Sequence, residues 1–446
     1  MSIIDGLRSW INVRWDGPEK IETFLNKPLT RNVSWPHTLG SLLLVYLLFQ
    51  MLTGILLGFY YSPSPDSAYA SLRYVREDLF LGRFVFKLHK FGAGFIIVTA
   101  FLHMARSYFL AAYKSPRELL WLSGLLLGIL LTLFAFTGQL LPYDQHGYWA
   151  TVVGIRIASS APSLGEMIRA VLTGGYGDIG ATTLARFYVL HVCVLPLVFL
   201  ALVALHLGML QRVGSAGPTS GPREPIRPFF PTQVYKDVLV AAAGAAALFL
   251  TAGLLTATDT GPANPAAGDF VPRPEWFFLA HYEILRVLPG KWQILGTFVL
   301  PNALLGLLVV LPFIDRGTER SPRRRKFATI AGLAVCAVLI GLTIKGVASA
   351  PHTAGKTDAA STMSPAQRGR ALFVEKKCVT CHSIEGLSET GTKGPNLTHV
   401  ASRIRSDYFP QWIRNPRNFK PTTEMPAFEG SEDELSSIVE YLLTLK

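Results

Sequence analysis

The sequence predicts an all-α protein of seven membrane-spanning helices followed by a small polar all-α domain, and three observations predict it. Half of the 446 residues are hydrophobic and 16% are charged, against roughly 25% charged in an average soluble domain. The apolar residues fall in seven blocks, each long enough to cross a bilayer as a helix, which takes about 20 residues. After residue 347 the chain turns to Ala, Ser, Thr and Gly and then to a polar stretch long enough for a small domain. Mean hydropathy of +0.33 excludes a disordered chain and a single water-soluble domain, and four cysteines exclude a disulfide scaffold.

Taken in order, the spans are expected near Leu39–Tyr60, Phe84–Leu110, Leu119–Leu141, Arg186–Leu210, Val238–Thr256, Ile294–Ile314 and Phe327–Val347. The first 35 residues carry Arg8, Arg14, Lys20, Lys27 and Arg31 and no apolar core before a small-residue cleavage site. No cleavable signal peptide is therefore expected, and the first span serves as insertion signal. Basic residues concentrate in alternate loops. Arg316, Arg320, Arg323, Arg324, Arg325 and Lys326 lie before the seventh span, Arg212, Arg223, Arg227 and Lys236 before the fifth, and Lys114 and Arg117 before the third. The positive-inside rule puts these loops and the N-terminus in the cytoplasm and the C-terminus outside. The net charge of +12 then records topology, and nucleic-acid binding is not expected.

The second span carries His89 and His103, 14 apart, and the fourth carries His191 and His206, 15 apart. At about 1.5 Å and 100° per residue, either spacing sets the rings roughly 21 to 23 Å apart along the axis, within about 60° of one face. The two spans run in the same direction, so His89 faces His191 near the outer surface and His103 faces His206 near the inner one. Each pair suits bis-imidazole ligation of one haem in a four-helix dihaem bundle. A lone intramembrane histidine reads more readily as a packing or proton-relay residue, and four in matched pairs favour ligation. Gly40 and Gly54 in the first span, and Gly124 and Gly138 in the third, repeat the spacing of 14. Glycine there lets a flat macrocycle approach the backbone, although helix packing alone also uses it.

In the polar tail, Cys378-Val379-Thr380-Cys381-His382 is a haem c attachment signature, two thiols for the haem vinyls and a proximal histidine. A zinc site needs more ligands, and a thioredoxin-like pair needs a βαβ setting. Cys193 and Cys336 are expected as small buried hydrophobes.

These residues resemble the cytochrome b of quinol-oxidising bc-type complexes over roughly residues 20–347. The spacings and the segment from Pro116 to Pro218 look most like the split chloroplast-type form, whose four-helix cytochrome b and three-helix partner subunit are here joined. The resemblance implies an outer quinol-oxidation pocket at Pro274, Glu275, Trp276 and Tyr282, with Tyr143 and Asp144 from the loop after the third span. A carboxylate such as Glu275 can accept a quinol proton and pass it outward; capping a loop helix is its structural alternative. It also implies haem-propionate roles for Arg106 and Arg186, otherwise interfacial arginines, and an inner quinone site at Lys236 and Asp237, otherwise a helix N-terminal pair. Three positions depart from the family. Thr38 replaces a haem-attaching cysteine, Gln211-Arg212 an Arg-Lys pair, and Phe86 an arginine three residues before His89.

The tail resembles class I monohaem cytochromes c through Gly394-Pro395-Asn396-Leu397 and Met425-Pro426, which implies Met425 as distal ligand, with His399 the alternative. The expected domains are 1–215 (dihaem cytochrome b part), 216–347 (three-helix part), 348–363 (linker) and 364–446 (cytochrome c). The expected cofactors are two noncovalent b haems and one covalent haem c. The resemblance implies a quinol–cytochrome c reductase core that draws on the membrane quinone pool, with a separate Rieske iron–sulfur partner, a soluble or membrane-bound cytochrome c acceptor and a homodimeric complex. The setting is an energy-transducing, bacterial inner membrane, with the cytochrome c domain on the periplasmic side. A dihaem b/monohaem c electron-transfer module without quinol bifurcation is the competing reading.

Overall fold

The computed structural model describes residues 3–14, 17–30, 33–175, 179–217, 219, 225–265, 273–288, 290–349, 365–385, 391 and 393–445. Arg31, Pro218, Arg223 and nearly all of the 348–363 linker lie outside them. The chain forms two units, one of residues 1–263 and 272–349, the other of residues 264–271 and 350–446.

The first unit opens with α1 (Ile3–Arg14) and α2 (Gly17–Leu25), two amphipathic helices in the segment that the sequence marks only as polar. Strand β1 (Pro28–Thr30) pairs antiparallel with β2 (Pro225–Pro228), tying the N-terminal segment to the chain after the fourth span. Helix α3 (Leu39–Gly58) is the first span, followed by the loop helix α4 (Ala68–Glu77) and the second span α5 (Gly82–Phe109). The third span α6 (Glu118–Leu140) leads into α7 (Gln145–Ala158) and α8 (Gly165–Thr173). The fourth span is built from α9 (Ala181–Val189), a π-helical turn at Leu190–Val194 and α10 (Leu195–Val213). Then come α11 (Thr232–Leu254), the short α12 (Leu279–Val287), α13 (Leu300–Ile314) behind a π turn at Leu295–Val299, and α14 (Lys326–Ala348). Among the described residues seven segments are long and apolar enough to cross a membrane, at the places the sequence gives them, although the fourth begins at Ala181 and the fifth at Thr232, several residues early.

Both π turns stand directly before a proline, Pro196 and Pro301, near the start of the following α-helix. A proline inside a helix lacks the N–H for the i−4 carbonyl, and its ring collides with that carbonyl. A wider turn moves the carbonyl away and takes in one extra residue. The turn at Leu190–Val194 lies at His191, so it absorbs the residue by which the His191–His206 interval exceeds the His89–His103 interval.

Helix α3 packs along α5, α10 along α6, and α11 on both α3 and α5. Leu42, Tyr46, Leu88, Ile96, Leu248 and Ala252 fill the space among α3, α5 and α11, while Leu130, Leu195 and Phe199 join α6 to α10. The outward faces stay apolar and exposed, as lipid requires. Cys193 is exposed and Cys336 half-buried, so Cys193 is not the buried residue that the sequence suggests; it faces outward with Val192 and Val194.

One end of the bundle is clasped by basic residues. Lys114 reaches Asp315 at 2.6 Å and the carbonyls of Gly317 and Glu319 at 2.8 Å each. Arg325 reaches Asp315 at 2.7 Å, and the Tyr113 hydroxyl donates to the same carboxylate at 2.6 Å. Arg117 donates to carbonyls at Val213, Gly214 and Ser215, and Arg320 to those of Leu110, Ala111 and Gly217. At the other end Arg76 pairs with Asp259 at 2.9 Å, and residues 144 and 262 form a bridge.

The second unit contains α15 (Pro365–Glu375), α16 (Tyr408–Arg414) and α17 (Glu432–Leu443). Its core joins Leu372, Phe373, Val379, Ile384, Phe409, Leu435 and Ile438. Ser431 and Glu434 form a capping box that starts α17.

Burial works against ionisation of Asp315, but the bonds from Lys114 and Tyr113 and the Arg325 charge outweigh it, so its carboxyl lies below the usual carboxylate range. The stability this adds is present above about pH 4 and is lost as acid titrates the folded carboxylate. Asp315→Asn leaves two nearly buried cations without their counter-charge and is expected to cost roughly 2–4 kcal/mol, read as a lower midpoint in detergent thermal unfolding. Wild type should approach the variant below pH 4.

Candidate functional site

His89 of α5 and His191 of the π turn face each other, with ring centroids 6.3 Å apart. Two metal–imidazole bonds of roughly 2 Å each, with each nitrogen about 1 Å from its ring centre, require about 6 Å between centres. The pair therefore fits one metal ion held between two imidazoles. His103 and His206 lie within electrostatic reach of each other at the clasped end of the bundle. Among the described residues no group of three or more His, Cys, Asp or Glu gathers, so the imidazole pairs stand alone.

Each of the four spaced glycines backs one of these rings. A Cβ on Gly138 would lie 2.5 Å from His191 Cε1; on Gly54, 3.2 Å from His89 Cε1; on Gly124, 3.4 Å from His206 Cε1; and on Gly40, 3.6 Å from His103 Cε1. Each of these glycines therefore leaves room beside its helix for one imidazole ring.

The sequence reading missed the hydroxyls beside them. Thr53 Oγ1 lies 2.9 Å from His89 Nδ1, Ser123 Oγ 2.8 Å from His206 Nδ1, and Thr137 Oγ1 3.1 Å from His191 Nδ1. Each hydroxyl gives its own proton to a backbone carbonyl, at Phe49, Leu120 and Leu133 respectively. Its oxygen is left to accept, which places the ring proton on Nδ1 and leaves the Nε2 lone pair for a metal. The signal was legible as a Thr or Ser directly before three of the four glycines; Leu39 precedes the fourth.

At the His89/His191 end, Tyr143 takes a left-handed backbone (φ 47°) and its carbonyl accepts from Ala263 N–H at 3.0 Å. Asp144 then caps α7, its Oδ1 accepting from Gly147 N–H at 2.7 Å, and burial pushes its carboxyl above the usual range. Pro274 and Glu275 lead into a 3₁₀ turn at Trp276–Phe278. The Glu275 Oε1 lies 4.0 Å from Lys90 Nζ, on the residue after His89, and 3.7 Å from His146 Nε2. The Trp276 ring lies against Gly94 of α5. Tyr282 lies on α12, within electrostatic reach of Arg286. Arg76 of α4 places its guanidinium carbon 5.4 Å above the Phe86 ring, which supplies a cation beside the position where Phe86 replaces the family's arginine. Arg186 is engaged by the Val171 carbonyl.

At the other end a cavity of about 160 Å³ is lined by His37, Arg106, Ala216, Gly217 and Arg320. Lys236 stands 5.4 Å over the Trp35 ring, and Asp237 accepts from Gln233 at 3.1 Å. Thr38 is buried and donates to the Trp35 carbonyl. Buried polar atoms without a hydrogen-bond partner lie at both ends: His37 Nε2, Arg106 Nε and Gln233 Oε1 at this one, and Gln139 Oε1, His146 Nε2, Trp149 Nε1 and His281 Nε2 at the other. Orphans of this kind mark places where a polar ligand completes the bonding.

In the second unit His382 Nδ1 lies 2.9 Å from the Pro395 carbonyl, so Nδ1 carries the proton and Nε2 is free to ligate. Gly394 backs that ring, where a Cβ would lie 2.6 Å from Cε1. Trp412 Nε1 donates to Met425 Sδ at 3.2 Å. Burial pushes the Cys378 thiol up to about 11. His399 borders a separate cavity with Ser383, Asn396 and Arg403.

Residues 24–214 match the family model for cytochrome b/b6/petB, 262–363 that for cytochrome b (C-terminal)/b6/petD, and 366–446 that for cytochrome c. The chain is 33% identical to the cytochrome b of Mycosarcoma maydis over 312 residues, 68% of this chain and 78% of that one. The chain belongs to the cytochrome b family. It is 31% identical to the cytochrome bc complex cytochrome b subunit of Chlorobaculum thiosulfatiphilum over 343 residues, 75% of this chain and 79% of that one. The cytochrome b/c1 of Bradyrhizobium diazoefficiens is 32% identical, over 69% of this chain and 45% of that one. Among solved structures, a chain of a hyperthermophilic respiratory Complex III matches with a TM-score of 0.68 and 31% identity, over 76% of this chain and 91% of that chain. This cytochrome b is thus a multi-pass membrane protein with a C-terminal cytochrome c domain, and its domains carry haem b and haem c.

The cap on α7 is separable from any redox chemistry. Asp144→Ala is expected to cost about 1 kcal/mol and to accelerate hydrogen exchange at Gly147 and its neighbours, while Asp144→Asn, which keeps an acceptor, should change exchange little.

Proposed function

We propose that this cytochrome b is the core of a proton-translocating quinol–cytochrome c reductase, with quinol oxidised beside Glu275 and quinone reduced near Asp237. The observation that carries the reading is the position of the Glu275 carboxylate, 4.0 Å from the residue that follows His89. A proton acceptor and a redox pair then share one end of the bundle. The haems, when bound, supply one-electron carriers that divide the two quinol electrons between a Rieske iron–sulfur partner, with the haem c beyond it, and the inner quinone site.

The residues have separate tasks. His89 with His191, and His103 with His206, hold one b haem each through Nε2. Cys378 and Cys381 would attach the haem c, and His382 and Met425 would hold its iron. Glu275 takes a proton from the quinol hydroxyl, with the Lys90 ammonium 4.0 Å from its carboxylate. Pro274, Trp276, Tyr143 and Tyr282 shape the pocket. Lys236 and Asp237 bring protons to the quinone, and the orphaned Arg106 Nε suits a propionate. Arg186 is the weaker propionate partner, since a carbonyl already engages it. The basic loop clasp supports a cytoplasmic placement for the His103/His206 end. The cytochrome c domain then lies outside, where it meets a cytochrome c acceptor, and the complex is a homodimer in a bacterial inner membrane.

Pyridine-haemochrome quantitation on the purified chain should give two b haems to one c haem; a ratio of one to one overturns the assignment. Gly138→Ala, at 2.5 Å, is expected to lose or distort the haem at His191, whereas Gly40→Ala, at 3.6 Å, should keep both b haems.

Glu275→Gln is expected to slow quinol-driven cytochrome c reduction about 100-fold with haem content unchanged. Intact turnover in that variant would favour a simple electron-transfer module.

A further inference from the structure

His146 stands at the quinol end without a role in anything described above. It opens α7, and its backbone is pinned there. Its N–H donates to Thr260 Oγ1 at 3.0 Å, the Gln145 N–H donates to the Gly261 carbonyl at 3.0 Å, and Asp144 caps the turn. The ring cannot drift far from where this scaffold puts it. Its Nε2 is fully buried, has no hydrogen-bond partner, and points at Glu275 Oε1 across 3.7 Å. The side chain as a whole is 30% exposed. One nitrogen therefore faces the Glu275 carboxylate while part of the side chain reaches the surface.

A gap of 3.7 Å exceeds a hydrogen bond by less than 1 Å, which a small shift or one bridging water closes. Glu275 Oε1 then sits between two nitrogen groups, the Lys90 ammonium at 4.0 Å and the His146 imidazole. The other charges facing this first turn are Asp144, which senses both Lys90 and His146, and Asp259, which is held by Arg76 and the Tyr69 hydroxyl. Lys90 and Arg76 are fixed cations. The imidazole is the group in the set that can take a proton at one nitrogen and release it from the other.

We infer that His146 is a positioning and relay residue of the quinol site, taking at Nε2 the proton that Glu275 receives and releasing it at the surface. The inference rests on the reading of the Glu275 pocket given above. Quinol oxidation breaks two O–H bonds and yields quinone, two protons and two electrons. The electrons leave singly, to the iron–sulfur partner and to the b haem at this end. Each proton in turn forms the Glu275 Oε1–H bond. That bond breaks as Nε2–H forms, the imidazolium loses its Nδ1 proton to water, and a flip of the ring turns the proton-free nitrogen back to Glu275. Glu275 returns to the carboxylate, paired again with Lys90, ready for the next proton. Without the imidazole, Glu275 must wait for water to take its proton.

The test uses the assembled complex in native membranes, with quinol-driven cytochrome c reduction followed from pH 5 to 9. Wild-type rate should rise with pH, because only the neutral ring accepts a proton. His146→Gln should run about tenfold slower at pH 7 and lose that rise, with b-haem spectra and stoichiometry unchanged. His146→Ala should regain rate on addition of imidazole. The double variant with Glu275→Gln should be no slower than the slower single variant, since both act on one path. A wild-type pH profile in His146→Gln, multiplicative slowing in the double variant, or loss of b-haem bands in both His146 variants would overturn the relay. Intact turnover in Glu275→Gln alone would instead remove the pocket reading beneath it.

Discussion

The approach of a histidine on α5 to a histidine on the fourth span, 6.3 Å between ring centres, sets the terms for the rest of the membrane unit. Two imidazoles can keep that distance in a hydrocarbon medium only if their helices are held apart by a fixed amount and the rings cannot turn away. The glycines of α3 and α6 set the clearance behind each ring, and Thr53, Ser123 and Thr137 hold three Nδ1 atoms. An unpaired ring N–H in lipid is costly, so these hydroxyls lower the cost of burying a ligand before any metal arrives. In the ligation proposed above, the donors are oriented before the haem binds.

The fourth span shows how a local rule bends to that requirement. Pro196 sits five residues after His191, and a regular α-helix through it would force a collision with the preceding turn. The π turn relieves the collision and carries the additional residue. Two helices of unequal interval, 14 and 15, can therefore present their histidines at two matching depths. The same device before Pro301 leads into α13, where no ligand is involved. Its first cause is the proline, and the ligand register exploits it.

Much of this was legible because membrane helices confine their polar residues. Histidines and glycines in an apolar background stand out, and their period can be counted without knowing the fold. The seven spans and the Cys378-to-His382 signature were equally plain. The tertiary partners were less so. Nothing in the local sequence says that Arg76, on a loop helix, lies over Phe86, or that Lys114 and Arg325 converge on Asp315 across some 200 residues of chain. The basic loops were read by their sidedness, yet Lys114, Arg117, Arg316, Arg320 and Arg325 also donate to backbone carbonyls. Cys193 misled because a small apolar residue in a span suits the lipid face as well as the core.

His146 escaped the sequence reading for a related reason. It lies in the first turn of α7 beside the Tyr143-Asp144 pair, so its type was masked by a motif whose other members drew the attention. Only the pinning of α7 to residues 260–263 and the return of the chain at Glu275 bring its Nε2 toward a carboxylate. A proton acceptor in a pocket that must discharge two protons per quinol works repeatedly only if something regenerates it. A lone carboxylate beside Lys90 has no conduit of its own. An imidazole with one nitrogen buried and part of its side chain exposed joins the two environments, and the structure holds such a ring at 3.7 Å.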